Sequence, residues 1–167
     1  MDGKWLEICA FREKTALSKI NNITIIFLSK FEKTFLTMKK IEVVAAVIVH
    51  NDKVLCVQRG NNKYDYIAFK YEFPGGKVEI GETNETALVR EIQEELNLKI
   101  TIEAEFVTVN HTYPDFMLTM YSFICSCENS TLNLTEHIDF KWLDKNELNN
   151  LDWAAADIPI VNKLVTT

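Results

Sequence analysis

A mixed β-sheet packed between helices is the architecture this sequence predicts, and three observations predict it. A β-branched run from Ile41 to His50 is followed by Asn51-Asp52-Lys53 and a second apolar run, Val54 to Arg59, which together read as a hairpin. Two further strand-like stretches, Ile100 to Val109 and Phe116 to Cys127, lie downstream. Between the two pairs stands one long amphipathic helix, opened by Thr83 as N-cap and ending near Asn97. Strands interrupted and followed by helices build helical layers on a mixed sheet, an α/β fold.

Taken in order, residues 1–37 stand apart. They carry a net charge of +2 against −8 for the rest of the chain. They contain a short helical pattern (Trp5 to Lys19) and a mostly apolar run (Ile23 to Leu28), without clear caps or turns. Met38 then precedes Lys39-Lys40 and the first strong strand, as a natural start would. The expectation is an N-terminal extension over 1–37, a translated leader upstream of the true start, and one catalytic domain over 38–167. Intact mass of the natively expressed protein tests the leader; a mass that includes Met1 ends it.

After the hairpin, residues 60–71 read as a polar and aromatic loop. Tyr71 to Phe73 is a short strand ended by Pro74-Gly75-Gly76, and Lys77 to Glu82 is a second loop leading to the helix. Beyond the two long strands come a short strand, Phe140 to Leu143, and two short helices, Lys145 to Leu151 and Ile158 to Val165. The 60–70 loop, with Tyr64, Tyr66 and Phe69, is either a lid or a plain connection.

At 167 residues with 47% hydrophobic and 25% charged positions, the chain can bury a core without staples. Its net charge of −6 argues against a general nucleic-acid binder, which needs basic surface to displace counterions from phosphate. An anionic small substrate stays open, because a divalent cation reverses the local field. Cys9, Cys56, Cys125 and Cys127 match no zinc spacing and read as reduced core thiols, with Cys125 and Cys127 on one strand face. No apolar stretch approaches a membrane span and no signal-peptide layout is present, so a cytoplasmic protein without membrane contacts is expected.

The chemistry concentrates in the helix. At about 100° per residue, Glu91, Glu94 and Glu95 share one face, and Leu88, Val89, Ile92 and Leu96 form an adjacent stripe that would pack on the sheet. Crowded carboxylates repel one another, and Arg90 offsets only part of that charge. An oxygen-preferring cation, Mg²⁺ or Mn²⁺, is the natural complement. Gly75, Gly76 and Gly81 permit close backbone approach ahead of the helix, and Glu82 can reach back to the cluster.

These residues resemble the Nudix box, G-x5-E-x7-R-E-U-x-E-E-x-G-U, where U is bulky and aliphatic. Gly76, Glu82, Arg90, Glu91, Ile92, Glu94, Glu95 and Leu98 match it; Asn97 stands where the pattern has glycine. Asn is the next best residue in a left-handed helix cap, so little functional loss is expected. The resemblance implies the Nudix fold, an α/β/α sandwich, and metal-dependent hydrolysis of a nucleoside diphosphate linked to another group. It implies Glu91, Glu94, Glu95 and the Gly75 carbonyl around the metal, with Arg90 neutralising and orienting the glutamates. Glu82 and Gly76 would support that arrangement, and Glu136 would approach the metal from a loop. Glu91 is the first choice as general base and Glu136 the second.

Further segments resemble the MutT-like triphosphate pyrophosphohydrolases: Ile41 to Ala46, Gln58-Arg59, Glu72 to Gly76, and Leu151-Asp152-Trp153 through Pro159. The likeness is nearest to enzymes acting on CTP and modified pyrimidine triphosphates, then to those acting on 8-oxo-dGTP. It implies substrate contacts from Arg59 to phosphate, from Asp157 to the base, and from Phe73. The substrate would be a small nucleotide rather than a polymer, and the enzyme a monomer or homodimer. Asp157 also reads as N-cap of the last helix. His111, Tyr113 and Phe116 could line a base pocket, though turn and core roles are favoured; His50 and His137 read as surface residues. Rival readings are an ADP-ribose or dinucleotide pyrophosphatase and a non-catalytic binding module, the latter disfavoured by the intact acidic set.

Overall fold

The structure, a computed structural model, describes residues 38–167. The helical pattern and apolar run expected within 1–37, and Cys9, lie outside the described residues. Strand β1 spans Lys39–His50 and β2 spans Lys53–Arg59, joined by Asn51 and Asp52 at φ +49° and +61°. Both turn residues have the left-handed twist of a type I′ hairpin, which Asn and Asp tolerate better than other residues with a Cβ. Strand β3 is the two-residue Tyr71–Glu72. Helix α1 covers Asn84–Leu96, then β4 Ile100–Thr112, β5 Phe116–Cys127 and β6 His137–Leu143. A 3-10 turn at Lys145–Asn150 and helix α2, Ile158–Thr166, follow.

Both ends of α1 are capped as expected. The Thr83 hydroxyl accepts the Thr86 N–H at 3.2 Å, and Asn97 takes the left-handed conformation at φ 50° while its N–H donates to Gln93 O. The sequence places β4 three residues short and starts β6 three residues late. Pairing decides both: β4 follows β5 to Thr112↔Met117, and β6 follows β2 back to Arg59↔His137.

The sheet order is β3-β2-β1-β5-β4, with β6 on β2. Both faces of β1 are covered over its buried part, which explains why Val43 to Val49 is apolar throughout rather than alternating. Val44, Ala46 and Ile48 meet Ala87, Leu88, Ile92 and Leu96 of α1. Ala45 and Val47 face Leu148, Ile160, Val161 and Leu164 of the C-terminal helices. The result is the α/β/α sandwich. Each fully buried aliphatic side chain contributes roughly 1.5–3 kcal/mol of transfer free energy, so this two-sided core anchors α1 firmly. Cys125 is buried in the α1-side core and Cys127 packs against it, and both are free thiols, as is Cys56 on the other side.

One expectation about α1 fails. Val89 is 47% exposed, and Ala87 is buried in its place. Glu95 lies seven residues after Leu88, about 20° away around the helix, so the sheet-facing stripe takes in this glutamate rather than Val89. Among the described residues no helix is long and apolar enough to cross a membrane.

Candidate active site

Residues 74–78 run beside β1 and set the site's floor. Ala46 N–H donates to Pro74 O and Val44 N–H to Gly76 O, both at 2.8 Å, and Val78 N–H donates to Glu42 O at 3.1 Å. Gly75 has φ +149°, and a Cβ on it would collide with the Val44 carbonyl oxygen. A Cβ on Gly76 would collide with the Glu91 carboxylate. The two glycines therefore let the loop lie flat on β1 while the acidic face of α1 comes down on top of it.

Arg90 ties this face together. Its Nε and Nη2 each donate to Glu82 at 2.8 Å, and Nη2 also donates to Lys77 O at 3.1 Å. Nη1 sits 2.9 Å from Glu91 Oε1 and 3.3 Å from Glu94 Oε2. The fork geometry of the guanidinium makes such multiple pairing feasible where a lysine would serve one partner at a time. The Arg90 hydrogen bonds, with help from the Glu79 N–H, hold the Glu82 carboxyl down at about 2, and Glu82 in turn raises the Arg90 pKa.

Glu95 is the exception. It is 8% exposed, and its Oε2 is buried without a partner. Burial raises its pKa to about 7; His137 opposes the shift, while Glu136, Glu91 and Glu72 add to it. Glu136 reaches the same cavity on a loop fastened to the end of α1. Thr135 donates its N–H to Glu95 O at 3.0 Å, and its hydroxyl lies 3.1 Å from the Glu94 and Glu95 carbonyls. These are carbonyls that a helix C-terminus always leaves without internal partners. Among the described residues no three His, Cys, Asp or Glu side chains are already gathered as a metal cage. The donor set still suits a hard divalent cation: an orphaned buried carboxylate oxygen, Glu91 and Glu136 nearby, and an all-oxygen character.

The acidic face opens into a cavity of about 470 Å³ whose far end is apolar. Gly75, Gly76, Arg90, Glu91, Glu94, Glu95 and Glu136 line one end, and Ile67, Phe73, Tyr113, Phe116, Leu118 and Met120 line the other. Arg59, Glu72 and Asp157 also line the cavity, so of the residues expected to bind metal or substrate, or to support them, all but Glu82 reach it directly. Tyr113 and Phe116 belong both to the core and to the cavity wall. His111 sits edge-on to Tyr113 at 4.4 Å and does not line the cavity. The 60–70 loop contributes Ile67 to the wall, and Tyr66 stacks on Tyr113 at 5.2 Å while donating to Asp115 at 2.7 Å.

Two expectations are corrected here. Asp157 stands at the N-cap position of α2, but it has helical φ/ψ and its side chain makes no capping bond. Its side chain is 2% exposed and accepts the Phe73 N–H at 2.9 Å. Burial first, then Glu72, push its pKa well above the ordinary aspartate value, against the Phe73 N–H and Arg59. His137 is buried rather than on the surface, because β6 begins earlier than its sequence suggests and carries the ring inward to Glu72, at 2.9 Å. Glu72 itself was missed as a site residue. Its available signal was a charge within a strand between Tyr71 and Phe73, where burial requires a partner.

A sheet-floored α/β cleft with oxygen donors at one end and an apolar hollow at the other has the parts that a metal-assisted hydrolase requires. The chain belongs to the Nudix family, whose NUDIX domain matches residues 40–164. It is 30% identical over 128 residues to the 8-oxo-dGTP diphosphatase of Escherichia coli, covering 76% of this chain and 98% of that one. It is 34% identical over 124 residues to the CTP pyrophosphohydrolase of the same organism, covering 74% and 90%. Among solved structures, the DNA mismatch repair protein MutT from methicillin-resistant Staphylococcus aureus has a TM-score of 0.63 at 39% identity, covering 78% and 98%. The expected fold and family are thereby borne out. Nudix hydrolases in general depend on a divalent metal.

Proposed function

We propose that this protein hydrolyses (deoxy)nucleoside triphosphates, of CTP type or carrying a modified or oxidised base, to the monophosphate and pyrophosphate, and so sanitises the nucleotide pool. The observation that carries the reading is one cavity of about 470 Å³ that joins the acidic face of α1 to an apolar, aromatic hollow. The names of the two relatives from Escherichia coli point to the same substrate class.

In this reading Glu91, Glu94, Glu95, Glu136 and the Gly75 carbonyl would hold the metal. A bound divalent cation would screen the phosphate charge and acidify the attacking water. Arg90, fixed by Glu82, neutralises and orients Glu91 and Glu94, and Gly76 gives Glu91 room to take its position. Glu91 receives the proton from water, with Glu136 as the other candidate. Arg59 meets the phosphate chain, Phe73 stacks on the base, and Asp157 contacts the base edge. Phe73 is itself backed by Trp153, at 4.8 Å between ring centroids. The proposal extends to Mg²⁺ or Mn²⁺ as the ion, a cytoplasmic setting, and a monomer or homodimer. It also takes 38–167 as the catalytic domain and 1–37 as an extension to it.

The test is pyrophosphate release with Mg²⁺ from CTP, dCTP, 5-methyl-dCTP, 5-hydroxy-CTP, dGTP and 8-oxo-dGTP, with Glu94→Gln as control and ADP-ribose as an off-branch substrate. Turnover of a triphosphate that is lost in the control supports the reading. Turnover of ADP-ribose alone moves the protein to another Nudix branch, and no turnover at all makes it a binding module.

A further inference from the structure

We propose that Glu72 and His137 are positioning residues that aim the Arg59 guanidinium into the cavity, with His137 acting through Glu72. The inference rests on the reading of Arg59 as a phosphate contact.

Three strand ends converge at this point. Arg59 closes β2, Glu72 closes β3 and His137 opens β6. β2 pairs with both neighbours, through Val57↔Glu72 on one side and Arg59↔His137 on the other. The β2–β6 register shifts between Gln58 and Arg59. Such irregularities re-aim a side chain at the rim of a sheet.

The Glu72 carboxylate is shared between the other two. Its Oε2 accepts Arg59 Nε–H at 2.9 Å, and its Oε1 lies 2.7 Å from Arg59 Nη2 and 2.9 Å from His137 Nε2. Two parallel contacts fix the plane of the guanidinium, which a single contact would leave free to rotate. A carboxylate only accepts, so the shared contact requires the His137 proton on Nε2. The His137 side chain is 3% exposed, Glu72 12% and Arg59 37%. The order of exposure gives the direction of the chain: a buried ring holds a nearly buried carboxylate, which holds an arginine with one flank open. Of five guanidinium N–H groups the clamp occupies two, leaving the rest for a ligand. A half-buried ion pair adds little net stability, so orientation is the better account of its presence.

The test uses the full chain and inorganic tripolyphosphate with Mg²⁺, titrated calorimetrically, so that no base preference enters. Arg59→Ala should weaken binding about tenfold, the size of one charge-assisted contact. Glu72→Gln should weaken it severalfold when Arg59 is present and not at all in the Arg59→Ala background. His137→Phe should reproduce Glu72→Gln, and His137→Gln, which retains a donor, should recover most of the loss. In the unaltered protein the Arg59 Nε–H should give a slowly exchanging nuclear magnetic resonance signal. Equal losses in both backgrounds, a fast-exchanging Nε–H, or tripolyphosphate binding indifferent to Arg59 would each overturn the proposal. A coupled cycle in a protein that turns over no nucleoside triphosphate would overturn the substrate reading alone and leave the clamp standing.

Discussion

The two ends of the cavity are built in opposite ways. Apart from Glu136, the acidic end comes from one continuous stretch, Gly75 to Glu95, in which a loop and a helix are tied by a single arginine. The apolar end is assembled from at least four separate segments, represented by Ile67, Phe73, Tyr113 with Phe116, and Ala156 with Asp157. At the acidic end charge is exposed or paired, except on Glu95. At the apolar end a carboxyl, Asp157, is wholly enclosed and satisfied by one backbone N–H. Chemistry that is common to a family can be carried by a local motif, because its spacing is fixed by one helix. Selectivity for a particular base depends on how distant segments meet, so it can change without disturbing the motif.

The largest effect that would separate the ends is expected from Glu91→Gln. It should cut kcat by about 10²–10³, as removal of a principal electrostatic group does, with little change in base preference. Gly76→Ala should lower kcat in the same direction by displacing the Glu91 carboxylate, since a misplacement of about 1 Å costs up to about 10². Steady-state kinetics across the triphosphate panel read both. A Gly76→Ala protein with normal kcat would show that Glu91 need not stand where it does.

Next in size is the pH response of Glu95. Its carboxyl titrates at about 7 in the folded protein against 4.5 for the ordinary group. Between those values the native state binds more protons than the unfolded chain, so stability falls as pH rises through the window. The loss amounts to up to about 3 kcal/mol without metal. Glu95→Gln should abolish that slope and be more stable than the unaltered protein above about pH 7 in chelator. Mg²⁺ should restore stability only where Glu95 is present. Thermal midpoints at about pH 5 and about pH 8, with and without metal, measure it; parallel pH profiles for the two proteins would contradict the burial argument.

At the apolar end, Asp157→Asn keeps an acceptor for the Phe73 N–H and should leave kcat on the best substrate within a few-fold while changing the order of bases. Asp157→Ala should in addition lose about 1–3 kcal/mol, because that buried N–H is left without a partner. An unchanged base order in both variants would remove Asp157 from recognition. The smallest effect is expected from Asn97→Gly. Relief of the left-handed cap at φ 50° should stabilise by a few tenths of a kcal/mol, less the Gln93–Asn97 contact, with activity unchanged. Denaturant midpoints resolve that difference.

What the sequence determined by itself is what local geometry controls. The placing of Glu91 and Glu94 beside Arg90, the Thr83 and Asn97 caps, and the hairpin at Asn51-Asp52 follow from helix period and turn chemistry, and they are found where expected. The β-branched run from Ile41 to His50 likewise read as a strand, and its Val44 to Ile48 segment is covered on both faces. Only the tertiary structure decided that Val89 faces solvent while Glu95 is enclosed, and that His137 and Glu72 meet across β2. It also turned Asp157 away from its helix toward Phe73. Those outcomes depend on strand register and on contacts between residues 65 and 84 positions apart, distances over which no periodicity in the chain carries information.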